Sequence, residues 1–404
     1  MKLYIGIDWS SKKHDICFMN NRGGVIQQIE IEHKQSGLLA FEKARQAIGV
    51  PQADCYVGIE TARNLFLDFL QAQGYTNIYI LAPHLVHGNR SRFAVSRGHN
   101  DASDAKLIAE ILRTDQGHLI PWQADSLITQ QIRAMVRLID FLTVNMVRIN
   151  HRLRDVLVRY YPQATVIFND LDAKVNLAFI KAYPTPAEAK ALDFETFKAF
   201  CKAQRYPKPQ NLSACYGRLF QDFPNSNLSS MLIFQEEAPL LAEMLLKIKQ
   251  LKEKTQKELT LIYQDHPDNE IYQSLPGLGN FLEPALLSKM GDNRNRYSTP
   301  EMLQAVAGTC PVTFSSGKRK SIRFRKACDH DFRRYVQIWA KESIKTSPWA
   351  YSYFESILPH SKSTSHAYRC LANRWLRILW RLWVDRVPYD EAYHLKQRAK
   401  FTFV

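Results

Sequence analysis

Residues 3–20, LYIGIDWSSKKHDICFMN, decide how the N-terminal part of this chain folds. LYIGID predicts a buried strand that ends on Asp8, and DICFMN predicts a second strand after a short polar turn. The turn residues at 21–24, NRGG, then lead into a third strand over 25–31. Because these connections are tight, we expect the three strands to form an antiparallel meander.

Helices and strands alternate after this meander. The strand CYVGIE ends on Glu60, and the helix DASDAKLIAEILR begins at Asp101. The predicted elements after the meander are, in chain order, a helix at 36–48, a strand at 55–60, a helix at 64–73, a strand at 78–82 and a helix at 101–113. The order β-β-β-α-β-α-β-α is that of the ribonuclease-H-like fold, so we expect an α/β domain here.

Four acidic residues occupy positions in this order of elements where a metal site can form. Asp8 and Glu60 end the first and fourth strands, while Asp101 and Asp104, three residues apart, share one face of the last helix. Converging carboxylates repel one another unless cations lie between them. Mg²⁺, or Mn²⁺ in its place, prefers such oxygen ligands and phosphate substrates. A pair of metal ions can stabilise the attacking and the leaving oxygens of a phosphoryl transfer.

Each acid also has a simpler interpretation. Asp8 and Glu60, taken alone, are typical of solvated loop acids, and Asp101 suits the first turn of a helix. Sugar kinases and actin-like ATPases also open on a strand that ends in Gly-x-Asp. That group needs glycine-rich phosphate loops, and the WSSK sequence at 9–12 supplies none. The conjunction of all four positions favours the metal site.

A long apolar seam follows from Ile128 to Tyr160. Apolar residues recur at steps of four and three throughout this stretch, which is typical of a coiled coil. A second helical stretch at about 238–263 repeats the pattern more weakly, and prolines divide 161–237 into short pieces. Two interpretations remain open: a helical hairpin packed within one chain, or an arm for dimerisation.

The net charge of +15 on 404 residues is distributed unevenly. Residues 316–404 hold 19 Lys and Arg against 7 Asp and Glu, so most of the surplus lies there. Such a surplus on an ordinary globular composition favours a nucleic-acid partner. The seven cysteines include no C-x-x-C pair, and no long apolar run occurs, so we expect a cytoplasmic protein without disulfides, zinc or membrane contact.

The C-terminal part is expected to be mainly helical and to bind the phosphates of a nucleic acid. Residues 272–290 predict a helix-hairpin-helix, in which Gly277 and Gly279 permit a tight turn with backbone N–H groups free for phosphate; a plain turn between helices is the alternative. A basic run after the loop SSG at 315–317 and a stripe on the final helix, 365–386, supply cations. The predicted phosphate-binding side chains are Lys318, Arg319, Lys320, Arg323, Arg325, Arg374, Arg377 and Arg381.

Several motifs in this order resemble those of one known family. They are GIDWSSKKHD, VGIETA and NDASDAKLIAEIL in the N-terminal part, and LPGLG, AGTCPVTFSSGK, WAYSYF and ANRWLRILWRLW in the C-terminal part. The chain resembles the insertion-sequence transposases of the one-ten family. These are DEDD recombinases described as guided by a bridge RNA and related to pilin-gene invertases. The resemblance covers nearly the whole chain.

The resemblance implies three domains: a Holliday-resolvase-like domain at 1–125, a coiled-coil domain at 126–265 and a transposase domain at 266–404. It implies that Asp8, Glu60, Asp101 and Asp104 bind metal. The serine before the glycine, Ser316, would be the nucleophile, with Ser315 as its rival. The implied reaction is DNA strand cleavage through a phosphoserine intermediate, followed by strand exchange.

The resemblance also implies partners. A non-coding guide RNA would pair with donor and target DNA. A homo-oligomer, a dimer that assembles to a tetramer, would build the site from two subunits in the bacterial or archaeal cytoplasm, associated with the nucleoid. Two other interpretations stay open: a metal-only junction endonuclease in which water attacks, and a nucleic-acid-binding protein without catalysis.

Overall fold

The computed structural model describes residues 1–60, 65–93, 101–224, 231–317 and 319–401. The chain divides into two compact units, Met1–Asp125 and Ser126–Val404. The further division that the sequence suggests at residue 265 stays a prediction.

The first unit is built on a sheet with the strand order β3-β2-β1-β4-β5. Antiparallel pairing joins β1 to β2 and β2 to β3, which confirms the predicted meander, and β1, β4 and β5 are parallel. The strands are β1 Leu3–Trp9, β2 Lys13–Asn20, β3 Val25–Glu32, β4 Cys55–Ile59 and β5 Asn77–Ile80. The helices are α1 Gln35–Ile48, α2 Leu65–Ala72, α3 Pro83–Phe93 and α4 Asp101–Asp115.

The two faces of this sheet bury different helices, because successive residues of a strand point to opposite faces. Leu3, Ile5 and Ile7 of β1 lie in a core with Phe41 of α1 and Phe66 of α2. On the other face, Tyr4 lies in a core with Ala105 and Ala109 of α4. Even-numbered positions of β1 therefore face α4. Helix α3 was not predicted, since PHLVHGNRSRF has too few apolar residues for a helical stripe.

The second unit is mainly helical and begins with the long helix α5, Leu127–Tyr160, which packs against α10, Met231–Gln264. The predicted seam of α5 is buried or half-buried along its whole length. This pairing within one chain is what the helical-hairpin interpretation predicts, and the dimerisation arm stays a prediction. Short helices lie between the pair, as the prolines predicted: α6 Lys174–Ala182, α7 Pro186–Lys190, α8 Phe194–Ala203 and α9 Leu212–Gly217.

The remainder of the second unit surrounds a core of tryptophans. Trp339, Trp375 and Trp383 are fully buried there, as the amphipathic pattern of the final predicted helix indicated for the last two. The helices are α11 Asn269–Gln273, α12 Leu282–Met290, α13 Pro300–Val306, α14 His330–Ser343, α15 Pro348–Ile357, α16 Thr364–Asp385 and α17 Glu391–Phe401. A hairpin of β6 Val312–Ser316 and β7 Arg319–Arg323 interrupts them. Among the described helices, none has the length and apolar content needed to cross a bilayer.

Candidate functional site: an acidic sheet face and a basic hairpin

The predicted acids of the first unit lie on the sheet face that α4 covers. Strand β1 pairs with β4 from Leu3–Cys55 to Ile7–Ile59, and the residues that follow this last pair are Asp8, still in β1, and Glu60, just after β4. Positions 4, 6 and 8 of β1 and positions 56 and 58 of β4 point to the same face. Asp8 therefore continues the row of β1 side chains that faces α4, and Glu60 directly follows the end of the neighbouring strand β4.

Two glycines allow α4 to approach this face. Gly6 and Gly58 pair across β1 and β4, and each lies two residues before an acid. A Cβ at Gly6 would lie 2.0 Å from the carbonyl oxygen of Ala105, and one at Gly58 would lie 2.8 Å from Cγ2 of Ile108. Because side chains are absent at both positions, the backbone of α4, which carries Asp104, rests directly on β1.

Glu60 and Asp104 are brought within electrostatic reach of each other. Burial raises the pKa of Glu60 above its usual value, and the negative charge of Asp104 raises it further, while the cation of Arg90 opposes the shift. Arg90 of α3 donates from Nη2 to Oδ2 of Asp104 over 2.7 Å, in a half-buried ion pair. The site therefore holds two carboxylates that repel each other and one guanidinium that partly offsets them.

The predicted donors have the chemistry that a divalent metal ion prefers, but among the described side chains they do not come together as a metal-binding group. Asp8, Glu60 and Asp104 offer only carboxylate oxygens, which Mg²⁺ and Mn²⁺ prefer. Burial first, and the charge of Asp104 second, raise the pKa of Glu60. Asp101 is the first residue of α4, but its side chain lies outside the described part of the structure. Among the side chains that are described, no three His, Cys, Asp or Glu residues form a metal-binding group.

Ser315 and Ser316 lie at the tip of the β6–β7 hairpin. Ser316 pairs with Arg319 and Ser315 with Lys320, and Gly317 closes the turn with a φ of +55°, a backbone conformation that favours glycine. Both serines are exposed. Because adjacent residues of a strand face opposite ways, Ser316 shares one side of the ribbon with Arg319, and Ser315 shares the other with Lys320. The hairpin therefore presents each hydroxyl beside a different cation.

The structure places only some of the predicted phosphate-binding residues together, in one groove. Lys318 lies outside the described residues. Arg323 and Arg325 continue from the hairpin, and Arg374 and Arg377 of α16 line the same groove as these two. Arg381 instead forms an ion pair with Asp385 over 2.5 Å and does not line that groove.

The first glycine of the predicted helix-hairpin-helix, Gly277, is required by the backbone conformation and packing at its position. Gly277 has a φ of +77°, and a Cβ there would lie 2.4 Å from the backbone nitrogen of Ser343 in α14. Trp339 donates to the carbonyl oxygen of neighbouring Pro276 over 3.0 Å. A Cβ at Gly279, by contrast, would have nothing within 4 Å. The turn is therefore held against α14, and its contact with phosphate stays a prediction.

Sequence reasoning missed some residues that the structure adds to these sites. Arg90 was missed because it lies in α3, which has no helical stripe to reveal it. Lys362 and Arg369 near the start of α16 line the groove with the predicted arginines. Spacing gave no clear signal for Arg369, since it lies five residues before Arg374, about 140° away around the helix axis.

Comparisons with known proteins give the same assignment for both units. Residues 5–162 match a DEDD family model of IS110 elements described as Transposase. Residues 269–355 match a model described as Transposase IS116/IS110/IS902 family. Together the two matched segments span more than half of the chain.

Similar proteins cover almost the whole length. A mini-circle protein of Streptomyces coelicolor, provisionally named as the transposase for IS117, is 27% identical over 97% of this chain and 96% of its own. An uncharacterised 44.8 kDa protein of insertion element IS116 from Streptomyces clavuligerus is 22% identical over 98% of both chains. The two family models and these full-length similarities agree, and the chain belongs to the IS110 family of insertion-sequence transposases.

Proposed function

We propose that this transposase cuts and exchanges DNA strands through a phosphoserine intermediate at Ser316, with Mg²⁺ held by the acids of a ribonuclease-H-like first unit. The observation that carries the proposal is the Glu60 and Asp104 carboxylate pair, on the sheet face to which Asp8 also belongs. Keeping two carboxylates close together and half-buried costs stability, which is typical of a functional site.

The strand order β3-β2-β1-β4-β5, with only β2 antiparallel to its neighbours, supports the ribonuclease-H-like assignment. The family likeness supports the Holliday-resolvase-like variant of it. Mg²⁺, held by Asp8, Glu60, Asp101 and Asp104, would supply positive charge to the phosphate oxygens. The chain's own residues would orient that charge, because Gly6 and Gly58 fix α4 against the strands that bear the other acids.

The proposed cleavage step balances without any co-reactant. The hydroxyl oxygen of Ser316 forms a bond to the scissile phosphorus, and the bond from phosphorus to one deoxyribose oxygen breaks. The serine proton leaves to a base or to solvent, and the departing oxygen takes up a proton. Attack by a hydroxyl of a second DNA strand then reverses the step and releases Ser316. The exposed hairpin and its neighbouring Arg319 support this role, since an arginine can hold a phosphate oxygen.

A trapping experiment tests the nucleophile. A nicked suicide substrate prevents religation, so a covalent protein–DNA adduct should accumulate with the unaltered protein and be absent with Ser316→Ala. Ser315→Ala is the matched control, since its hydroxyl lies on the opposite side of the ribbon. Adduct formation by Ser316→Ala would disprove the assignment. Cleavage without any adduct would instead indicate a metal-only endonuclease.

Asp8→Asn tests the acids in the same assay. Loss of cleavage that added Mn²⁺ or Mg²⁺ cannot restore supports the metal-dependent reaction. Unchanged activity would instead favour a nucleic-acid-binding protein without catalysis.

The guide RNA and the homo-oligomer belong to the same proposal, and the family likeness supports both. The large positive surplus of residues 316–404 suits a polyanionic partner of this kind. Sequencing the RNA that copurifies with the protein tests it. One RNA encoded beside the transposase gene should dominate, whereas a random sample of cellular RNA would contradict a guide.

A further inference from the structure

A groove of about 780 Å³ lies in the second unit, where the end of β7 meets the first half of α16. Its lining contains no Asp or Glu among the described residues. It contains six cationic side chains, Arg323, Arg325, Lys362, Arg369, Arg374 and Arg377. Like charges at this density repel one another, so an anion in the groove would relieve the repulsion.

Most of these cations have no carboxylate partner within the described part of the chain. Arg377 is the exception, because it forms an ion pair with Glu301 of α13. Arg323 instead lies over the ring of Phe314 at 4.9 Å, and Arg325 donates to the carbonyl oxygen of Cys310 over 3.3 Å. The charge of the groove is therefore left for a ligand.

Burial first, and nearby cations second, lower the pKa of two groups in the lining, His366 and Arg369. Burial lowers the pKa of His366, and the charges of Arg369 and Lys362 lower it further. The pKa of Arg369 is also lowered, first by burial and then by the neighbouring charge of Arg333. The amide end of α16 adds to the field, since the helix begins at Thr364 beside the groove.

Aromatic rings lie among these cations. Phe324 is 47% exposed, and the guanidinium groups of Arg333 and Arg369 lie 4.4 Å and 4.7 Å from its ring centre. Tyr353, also in the lining, carries Arg374 at 5.7 Å. A cationic groove with half-exposed aromatic rings is typical of proteins that bind an unpaired strand, because the rings stack on bases that are not in a duplex.

The groove continues directly from the serine hairpin. Ser316 pairs with Arg319 at the start of β7, and Arg323 at its end lines the groove. Arg323 lies four positions after Arg319 along β7, or about 13 Å away. A nucleic-acid strand in the groove would thus have its neighbouring nucleotides within reach of Ser316.

We propose that this groove binds the unpaired DNA strand that Ser316 attacks, holding its backbone with the arginines and Lys362 and stacking a base on Phe324. The inference rests on the proposed serine reaction, which makes the occupant DNA. It adds Lys362, Arg369 and Phe324 to the binding residues that the sequence indicated.

Fluorescence anisotropy with the full-length protein, freed of copurifying RNA, tests this. The probes are a labelled single-stranded oligodeoxynucleotide, its duplex and the RNA of the same sequence. Lys362→Gln and Arg369→Gln should each weaken single-strand binding about tenfold. Each should also reduce the slope of the logarithm of the binding constant against the logarithm of the salt concentration by about one. Lys341→Gln is the matched control, since Lys341 is exposed on α14 outside the groove and should bind as the unaltered protein does.

Phe324→Leu separates stacking from charge. It should weaken binding of the single strand about fivefold and leave duplex binding unchanged, because the lost stacking acts only on unpaired bases. The inference would be overturned if Lys362→Gln and Arg369→Gln bind the single strand as tightly as the unaltered protein does. It would also be overturned if these variants lose binding only to duplex DNA or only to RNA. Arg369→Lys, which keeps the charge, guards against a folding defect and should retain most of the affinity.

The groove and the serine reaction can fail separately. Ser316→Ala should bind the single strand normally, because its hydroxyl is outside the groove. If Ser316→Ala still forms the adduct while the groove variants lose binding, the serine assignment is wrong and the groove stands as a binding site. If Ser316→Ala loses the adduct while the groove variants bind normally, the groove inference is wrong.

Discussion

Gly6 of β1 lies directly against Ala105 of α4, so closely that a Cβ at position 6 would be 2.0 Å from the Ala105 carbonyl oxygen and 2.5 Å from the Ala109 nitrogen. Both neighbours are backbone atoms of a helix, which cannot turn aside as a side chain can. Gly6→Ala should therefore displace α4 and destabilise the first unit by about 3 kcal/mol or more. Thermal unfolding and far-UV circular dichroism measure the loss.

Gly88→Ala is the matched control for this substitution. Gly88 lies within α3, and a Cβ there would have nothing within 4 Å. Alanine in a helix is favoured over glycine by about 1 kcal/mol, so this variant should be as stable as the unaltered protein or more so. A Gly6→Ala protein with unchanged unfolding would show that α4 does not rest on β1.

Arg90 donates to Asp104 over 2.7 Å and also lowers the pKa of Glu60, so its guanidinium offsets charge where a metal ion is proposed. Arg90→Gln should raise the affinity for Mg²⁺ several-fold, because a cation that competes for the carboxylates is removed. Isothermal titration calorimetry with MgCl₂ measures this directly.

Arg92→Gln provides the comparison, since Arg92 is on the same helix but pairs with Asp115 at 3.0 Å, and Asp115 is not one of the proposed metal ligands. It should bind Mg²⁺ as the unaltered protein does. Weaker Mg²⁺ binding by Arg90→Gln would show that Arg90 orients Asp104 for the metal and does not compete with it.

The seam of α5 supplies a third prediction. Ile139 is buried in the core of the second unit, and Phe141, two residues later, is 64% exposed. Ile139→Ala should destabilise the protein by about 3 kcal/mol, whereas Phe141→Ala should change its stability by less than about 0.5 kcal/mol. Urea unfolding gives both values.

The same pair of variants separates the two interpretations of this helix. If α5 were an arm for dimerisation through its outer face, Phe141→Ala would dissociate the dimer, and sedimentation would show it. A monomeric profile only for Phe141→Ala would favour the arm. A loss of stability only for Ile139→Ala would favour the helical hairpin as the source of stability.

Sequence patterns predicted the elements whose apolar residues are regularly spaced. LYIGID and the seam of α5 are of this kind, because a buried strand or helix face must repeat with its own period. Helix α3 has no such repeat, and the β6–β7 hairpin is exposed along nearly its whole length, so burial left no pattern in either sequence.

Roles that depend on contacts between distant residues were harder to predict. LPGLG indicated a phosphate-binding turn, yet the close approach of Gly277 to the backbone of Ser343 depends on packing against a helix some sixty residues away in the chain. The pairing of Arg90 with Asp104 likewise depends on how two helices meet, which spacing along the chain does not record.

Asp292 joins the start of α5 to the residues that follow α10. Its carboxylate accepts hydrogen bonds from the backbone of Ser126 at 2.5 Å, from Thr129 at 2.7 Å and from His266 at 3.3 Å. Nδ1 of His266 accepts from the backbone of Asp268, so Nε2 is the nitrogen that donates. Burial opposes ionisation of Asp292, but hydrogen bonds from His266, Thr129 and Ser126 outweigh it and lower the pKa of the carboxyl well below its usual value.

Because this pKa is lower in the folded than in the unfolded protein, the ionised carboxylate stabilises the fold above about pH 4, and that contribution is lost as the pH falls further. Asp292→Asn should therefore cost about 2 kcal/mol at pH 7 and less at pH 3, as measured by urea unfolding at both values. Asp222→Asn, at an exposed position, should leave the free energy of unfolding unchanged at both pH values. An equal loss at both pH values would mean that Asp292 acts through its shape and not its charge.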